Sequence, residues 1–349
     1  MFKSKTPQFF DQKKRKIEGS VATIEKIELG GHEQTIMIRG RDCNHPLLLF
    51  LHGGPGFAQI GFARHYQQEL EKHFLVVNWD MRGTGKSFSS HLLKADMTID
   101  QHLEDIYQLI HYLLEKFSQK RIFLAGHSWG SILGMLFAKK HPELLHAYIG
   151  IGQLSNVEKG ELISYQHVLI HARQLEKRRA VSALQKLGYP PYQRTRDLFA
   201  HHKWVSRFGG DVRKGSIFRF LLRGVFSSEY TLLDWWRYYK GLRLHMRSFG
   251  REIMRANLFE EVEELSVPVY FCVGKYDYLS PHELQQRFFE HLSAPNKDLI
   301  WFENSAHCPH LEEPPSFLIT MLRIKEELLI YKQKDLLKLK SPLGVAQSG

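Results

Sequence analysis

A serine, an aspartate and a histidine brought together in a fold can run acyl transfer without help from a metal or cofactor. This chain offers them in a definable order. Gly126-His127-Ser128-Trp129-Gly130 places Ser128 two residues from a glycine on either side. An apolar run over residues 121–125 precedes it and a helical pattern over 131–140 follows. That reads as strand, tight turn, helix, the context that separates a nucleophile elbow from a chance G-x-S-x-G. An elbow of this kind requires an acid and then a histidine further along, each just past a strand. Asp277, in Gly274-Lys275-Tyr276-Asp277, follows a strand pattern over 267–273. His307, in Asn304-Ser305-Ala306-His307, follows one that ends at Phe302. Among 20 histidines a single one means little; its position after the serine and the acid singles His307 out.

The roles follow from chemistry. A serine hydroxyl is a weak nucleophile at neutral pH, so His307 is expected to take its proton and later protonate the leaving group. Asp277 would hold the imidazole tautomer and stabilise the imidazolium. The oxyanion needs backbone donors fixed in advance, and losing one costs ~10²–10³ in rate where it has been measured. One expected donor is the N–H of Trp129. The other belongs to His52-Gly53-Gly54-Pro55-Gly56; Pro55 has no N–H, which leaves Gly54. Gly53, without a Cβ, and His127, beside the nucleophile, are expected to contact substrate. Gly83-Thr84-Gly85-Lys86-Ser87 lacks the first glycine of a phosphate-binding loop, so nucleotide binding is not expected.

The elements that must position these residues can be read from periodicity. Residues 21–29 and 33–39 read as two strands joined at Gly30-Gly31. Residues 46–52 form a continuous apolar run, as in a strand buried on both faces. Helical spacing over 62–72 and a strand over 73–80 come next. Thr98-Ile99-Asp100-Gln101 is a capping box that opens a helix, and residues 147–151 follow the elbow unit as a strand. Alternation then stops. Residues 155–261 are helical, basic and aromatic; alternation resumes with a strand over 267–273. Ser280-Pro281-His282-Glu283 reads as a second capping box, residues 298–302 as the last strand, and Pro314-Pro315 as the start of a final helix to about residue 331, with a loose tail after 339. The expectation is an α/β fold: a mostly parallel eight-stranded sheet flanked by helices, with a helical cap inserted after the sixth strand. The core would be residues 1–154 and 262–349, and the cap 155–261. Ligands in such sheets bind beyond the carboxyl ends of the strands, where an insertion roofs them.

Composition sets outer limits. Hydrophobic content of 43% and charged content of 24% fit a globular chain with a sizeable core. The longest apolar run, residues 47–51, is far too short to span a bilayer, and no secretory signal is read at the N-terminus. Cys43, Cys272 and Cys308 show no paired spacing, which fits a reducing cytoplasm. Residues 155–261 carry 20 Lys and Arg against 10 Asp and Glu, so +10 of the net +11 lies there. These charges are scattered singly among aromatics and leucines, which reads as solvated helix faces; neither nucleic acid nor membrane is expected as a partner.

The motifs at 52–56, 80–87, 126–130 and 274–277, with His307 and Glu313-Pro314, together resemble the α/β-hydrolase fold, and within it the proline iminopeptidase branch. The resemblance covers roughly residues 21–330 and is loosest over 155–261. It implies a cofactor-free serine peptidase that removes N-terminal proline from short peptides, with Asp80 and Arg82 shaping the loop beside the site. That branch binds the substrate amine with carboxylates of the cap. Here the cap is net basic, and Glu229 and Asp234 stand as the candidates, with Glu158 and Glu161 behind them. His127 replaces the branch's usual glycine, and Phe57 another. An esterase or amidase acting on a small apolar substrate, and a ligand-binding homologue without turnover, are the competing readings. The aromatics Trp204, Tyr230, Trp235, Trp236, Tyr238 and Tyr239 are expected mostly to form the cap's own core, and Cys308 to be an apolar filler.

Overall fold

The first two strands, β1 (Val21–Leu29) and β2 (His32–Gly40), turn at Gly30-Gly31, both with positive φ, and pair antiparallel. The computed structural model describes residues 4–92, 96–192 and 194–339. Six further strands complete one eight-stranded sheet: β3 (Leu47–Leu51), β4 (Leu75–Asp80), β5 (Ile122–His127), β6 (Leu145–Ile151), β7 (Val269–Gly274) and β8 (Lys297–Phe302). Its order is β1-β2-β4-β3-β5-β6-β7-β8. β2 meets β4 antiparallel, and every pairing from β4 to β8 is parallel. Every residue of β3, β4, β5 and β7 is buried, so these strands are covered on both faces.

The period of two along each strand divides the core. Leu47, Leu49 and Leu51 face one way, against α2 (Ile99–Lys116), α3 (Trp129–Lys140) and α10 (His282–His291). Leu48 and Phe50 face the other way, against Phe317, Met321 and Ile324 of α12 (Pro314–Leu339). Burying one such side chain stabilises the fold by about 1.5–3 kcal/mol. α1 (Ile60–Gln67) follows the glycine loop after β3. The helical spacing over 62–72 thus resolves into α1 and a 3₁₀ turn at Leu70–Lys72.

Between β6 and β7 the chain runs through α4 (Val157–Gln174), α5 (Arg178–Leu187), α6 (Thr195–Arg207), α7 (Phe218–Val225), α8 (Leu232–Ile253) and α9 (Leu258–Glu261). Tyr165, Val168, Leu169, Leu184 and Val205 form an apolar cluster of this segment. Of the six aromatics expected to form the segment's own core, Trp204 alone packs against this cluster. Tyr230 and Tyr238 are buried against Met37, Ala58, Ile60 and Ala63, Trp204 and Trp235 are partly buried, and Trp236 and Tyr239 are exposed. Packing onto the sheet domain is what buries Tyr230 and Tyr238.

Two local readings differ. Thr98 Oγ1 accepts from the Gln101 N–H at the start of α2, as its motif predicts. Ser280, by contrast, does not cap α10: Pro281 is the N-cap, and the Ser280 hydroxyl instead donates to the Gln153 carbonyl at 2.8 Å. A tertiary partner outcompetes the local one. The final helix runs on to Leu339, and the tail expected after it lies outside the described residues.

Candidate active site

Ser128 follows β5 and caps α3 with φ 52° and ψ −118°, a backbone that few L-residues adopt. Sequence pays for this turn with its glycines. A Cβ on Gly126 would lie 2.5 Å from the Gly130 carbonyl oxygen, and one on Gly130 would lie 2.2 Å from that of Leu51. β5, α3 and the end of β3 therefore approach too closely for any side chain. The Ser128 N–H donates to the Ile151 carbonyl at 3.0 Å, tying the turn to β6. Ser131 Oγ donates to the Ser128 carbonyl at 2.5 Å, closing it from the helix side.

Asp277 lies past β7 and His307 past β8, in the expected order. His307 Nδ1 stands 2.9 Å from Asp277 Oδ2. A carboxylate oxygen accepts, so Nδ1 carries the proton and Nε2 presents its lone pair. That Nε2 is buried and has no hydrogen-bond partner among the described residues. Asp277 is wholly buried, and its lone pairs are filled deliberately. Oδ1 accepts the N–H groups of Leu279 at 3.0 Å and Ser280 at 2.8 Å, and Oδ2 also accepts Gln285 Nε2 at 2.9 Å. Gln285 is in turn fixed by the N–H of Gln153, which donates to its Oε1 at 3.0 Å.

The donors expected for an oxyanion come from backbone. Trp129 is the first residue of α3, so its N–H has no acceptor within the helix. Gly54 adopts φ 127° in the loop after β3. Gly53 packs against Ser128: a Cβ there would meet Ser128 Cβ at 3.2 Å and His127 Nδ1 at 2.8 Å. Gly152, after β6, leaves similar room for the His307 ring, 2.8 Å from where its own Cβ would be.

The other residues singled out from sequence have different surroundings. His127 is buried, with Nε2 donating to the His307 carbonyl at 3.0 Å, so it supports the histidine loop. Burial holds its pKa well below the usual value, and neighbouring His310 and His307 push the same way. Cys308 is buried beside it, Sγ 3.7 Å from that Nε2. Glu229 is fully buried: Oε1 accepts Arg64 Nε at 2.6 Å and Thr6 Oγ1 at 3.1 Å, and Oε2 has no partner among the described residues. Thr6 also accepts from Arg39, which pairs with Glu71, so Glu229 belongs to a buried network with a second ion pair. Asp234 caps α8 through Thr231 and pairs with Lys86 Nζ at 2.6 Å. Neither carboxylate is hydrogen-bonded to Ser128, His127 or His307 among the described residues. Asp80 accepts the Lys86 N–H and the Tyr230 hydroxyl, and Arg82 pairs with Asp105, so both organise the neighbouring loop.

Sequence reasoning missed five residues that hold the acid and the histidine. Gln153 and Gln285 are buried and steer Asp277; a glutamine carries no spacing signature that would have found them. The turn after α6 is the third support. The Gly210 carbonyl accepts the N–H groups of Tyr278 and Leu279, and the Asp211 carbonyl accepts that of His307 at 3.0 Å. Glu312 joins both sides, accepting from the N–H groups of Ala306 at 2.9 Å and Arg213 at 2.6 Å. Its place just before Glu313-Pro314 was the one available hint.

Residues 46–314 match the α/β hydrolase fold family, and the chain belongs to it. It is a hydrolase of that fold. A probable aminopeptidase, YbaC, of Bacillus subtilis (strain 168) is 38% identical over 310 residues, covering 87% of this chain and 96% of that protein. A proline iminopeptidase of Saccharolobus solfataricus is 25% identical over 299 residues, covering 80% and 84%. Among solved structures, a proline iminopeptidase of Mycobacterium smegmatis superposes with a TM-score of 0.64 at 16% identity, over 87% of this chain and 98% of that one, a likeness of fold. No helix among the described residues is long and apolar enough to cross a membrane.

Proposed function

We propose that the chain is a serine hydrolase working through an acyl-enzyme on Ser128, with His307 as base and Asp277 as its orienting acid. The observation that carries this is the His307 imidazole, held by Asp277 through Nδ1 with Nε2 left free, on a loop whose carbonyl is bound by His127, the neighbour of Ser128 on its strained turn. Ser128 Oγ attacks the substrate carbonyl carbon as its proton passes to His307 Nε2. The Trp129 and Gly54 N–H groups receive the oxyanion. Collapse breaks the bond to the leaving group, which takes the proton from His307. Water, activated by the same nitrogen, then releases the acid and restores the serine. Residues 155–261 act as a cap over this site, and 1–154 with 262–349 as the catalytic core; Gly53 faces the bound acyl group. The three free cysteines agree with a cytoplasmic enzyme.

The substrate we propose is a short peptide with N-terminal proline or a small apolar residue, supported by the named aminopeptidase relatives. Glu229 Oε2 is the unpartnered buried acceptor left for an ammonium. One observation favours a second reading, an esterase or amidase for a small uncharged substrate: Arg64 and Lys86 already neutralise Glu229 and Asp234. A buried ammonium requires a carboxylate whose charge is not already matched.

Proline and alanine arylamides assayed beside p-nitrophenyl esters separate the two. Arylamide turnover that fails when the amine is acetylated supports the aminopeptidase; turnover of esters alone overturns it and leaves the triad standing. A serine-directed phosphonate should label the protein and fail to label Ser128→Ala. Equal labelling of that variant would overturn the triad.

A further inference from the structure

Away from Ser128, the helical segment holds a second cluster that the hydrolase chemistry does not use. Glu161 of α4 faces two consecutive histidines of α6. His201 Nδ1 lies 3.1 Å from Glu161 Oε2, and His202 Nε2 lies 2.8 Å from Oε1. Consecutive helix residues diverge by about 100°, so one carboxylate is gripped from two sides. The Glu161 and His201 side chains are 6% and 0% exposed, and that of His202 is 27% exposed.

We propose that Glu161, His201 and His202 form a zinc site that ties α4 to α6. The donor set is two imidazole nitrogens and one carboxylate, the set that suits Zn²⁺ and not the oxygen-seeking Mg²⁺ or Ca²⁺. One donor atom from each residue can be chosen so that all lie within 4.8 Å of one another. Ligands at 2.0–2.1 Å around a tetrahedral ion sit roughly 3.3 Å apart. The two histidine–carboxylate contacts, at 3.1 and 2.8 Å, are within a few tenths of an ångström of that spacing, and a bound ion would draw the two ring nitrogens onto it. The other nitrogen of His201, Nε2, is 3.4 Å from Ser164 Oγ, the kind of outer partner that fixes a ligand's tautomer. Ring protons now directed at Glu161 move to the far ring nitrogen or to solvent as the ion takes their place. The fourth position opens on the side of His202, where water and the incoming ion have access.

The site has a route to Ser128. α6 ends one turn before Gly210 and Asp211, whose carbonyls hold the N–H groups of Tyr278, Leu279 and His307. Tyr278 and Leu279 also pack on the cluster formed by α4, α5 and α6. Locking α6 to α4 therefore stiffens the strap that supports both the acid and the histidine loops. The metal site itself stands whether or not the hydrolase reading does.

The test uses the full chain, stripped with EDTA and titrated calorimetrically with ZnCl₂, with MgCl₂ as control. One equivalent of Zn²⁺ should bind with a micromolar or tighter constant, Mg²⁺ should not, and the melting temperature should rise by several degrees. Glu161→Gln and His202→Asn should each weaken that equivalent at least tenfold, and Ser128→Ala should leave it intact. His202 is partly exposed, so its variant keeps the fold even if the loss of the buried carboxylate does not allow Glu161→Gln to do so. No saturable equivalent in the parent protein, or an equivalent unchanged in His202→Asn and so held by other histidines, overturns the proposal.

Discussion

The loops at the carboxyl ends of the strands and the helical segment between β6 and β7 are built by different rules. In the loops, backbone geometry leaves almost no freedom: Gly126 and Gly130 are boxed in by main-chain oxygens, and Asp277 has its oxygens filled by named donors. In the helical segment, large apolar side chains remain in solvent, among them Phe226 at 83% and Leu232 at 85% exposed. Its carboxylates are matched by cations, Arg64 and Lys86, that belong to the sheet domain. Chemistry that must be held to a fraction of an ångström is written into local sequence, because each strained position admits few residue types. Selectivity resides in surfaces assembled from distant residues, which many sequences can supply.

The largest effect should separate the two regions outright. Asp277→Asn is expected to lower kcat by ~10⁴, because the amide turns the His307 ring to the wrong tautomer while leaving its packing in place. Turnover of an arylamide or ester, with the melting temperature as control, measures it. A loss under tenfold in a fully folded variant would remove Asp277 from the triad.

Acid sensitivity comes next. Burial drives the pKa of His52, His245 and His310 down to about 3 and that of His102 to about 4. These rings stay neutral in the fold, whereas the unfolded chain takes up protons below pH ~6.5. The unfolded state then binds more protons, so stability falls as pH drops below ~6.5, by about 1.4 kcal/mol per pH unit for each such ring. Asp80 acts oppositely: burial raises it to about 7, despite the Tyr230 hydroxyl, so its share falls as pH rises from its ordinary value toward 7. The histidines outnumber it, and urea midpoints should decline steeply from pH 6.5 to 5. His310→Phe, beside Phe50 and Phe317, should flatten that slope by one histidine's share. An unchanged slope would mean that His310 titrates in the fold.

Glycines give a smaller and sharper contrast. Gly130→Ala drives a Cβ against backbone and should cost about 3 kcal/mol or more. Gly250→Ala, inside α8 with nothing within 4 Å and no positive φ, should stabilise by about 0.5–1 kcal/mol. Chemical denaturation of the pair reads both. Equal losses would show that the helical segment is packed as tightly as the elbow.

The same contrast explains what was legible in the sequence. The strands, the helices and the placement of Ser128, Asp277 and His307 after them follow from apolar runs and turn residues, signals confined to a few neighbours in the chain. Gln153 reaches Gln285 across 132 positions, and Gly210 and Asp211 act across 68 to 96 positions through a carbonyl, which any residue supplies. Ser280 shows the failure from the other side, since its capping signature yields to a distant carbonyl. The aromatics of residues 155–261 were read as one core because sequence cannot tell a helix packed on its neighbours from one packed on the sheet domain.

The narrowest comparison bears on the least legible feature. Asp234→Asn keeps an acceptor for the α8 cap but leaves the nearly buried Lys86 ammonium without its counter-charge, so stability should fall by about 3 kcal/mol. If Asp234 serves structure alone, KM for a proline arylamide and for a neutral ester should change by the same factor. If it meets the substrate amine, KM for the arylamide should rise at least tenfold while the ester is unaffected, because only a charged ligand loses a partner. The ratio of the two constants is therefore diagnostic even where both move, since a shift of the helix acts on every substrate. Glu229→Gln tests the other carboxylate in the same way, at a comparable cost to folding because it leaves the largely buried Arg64 charge unmatched.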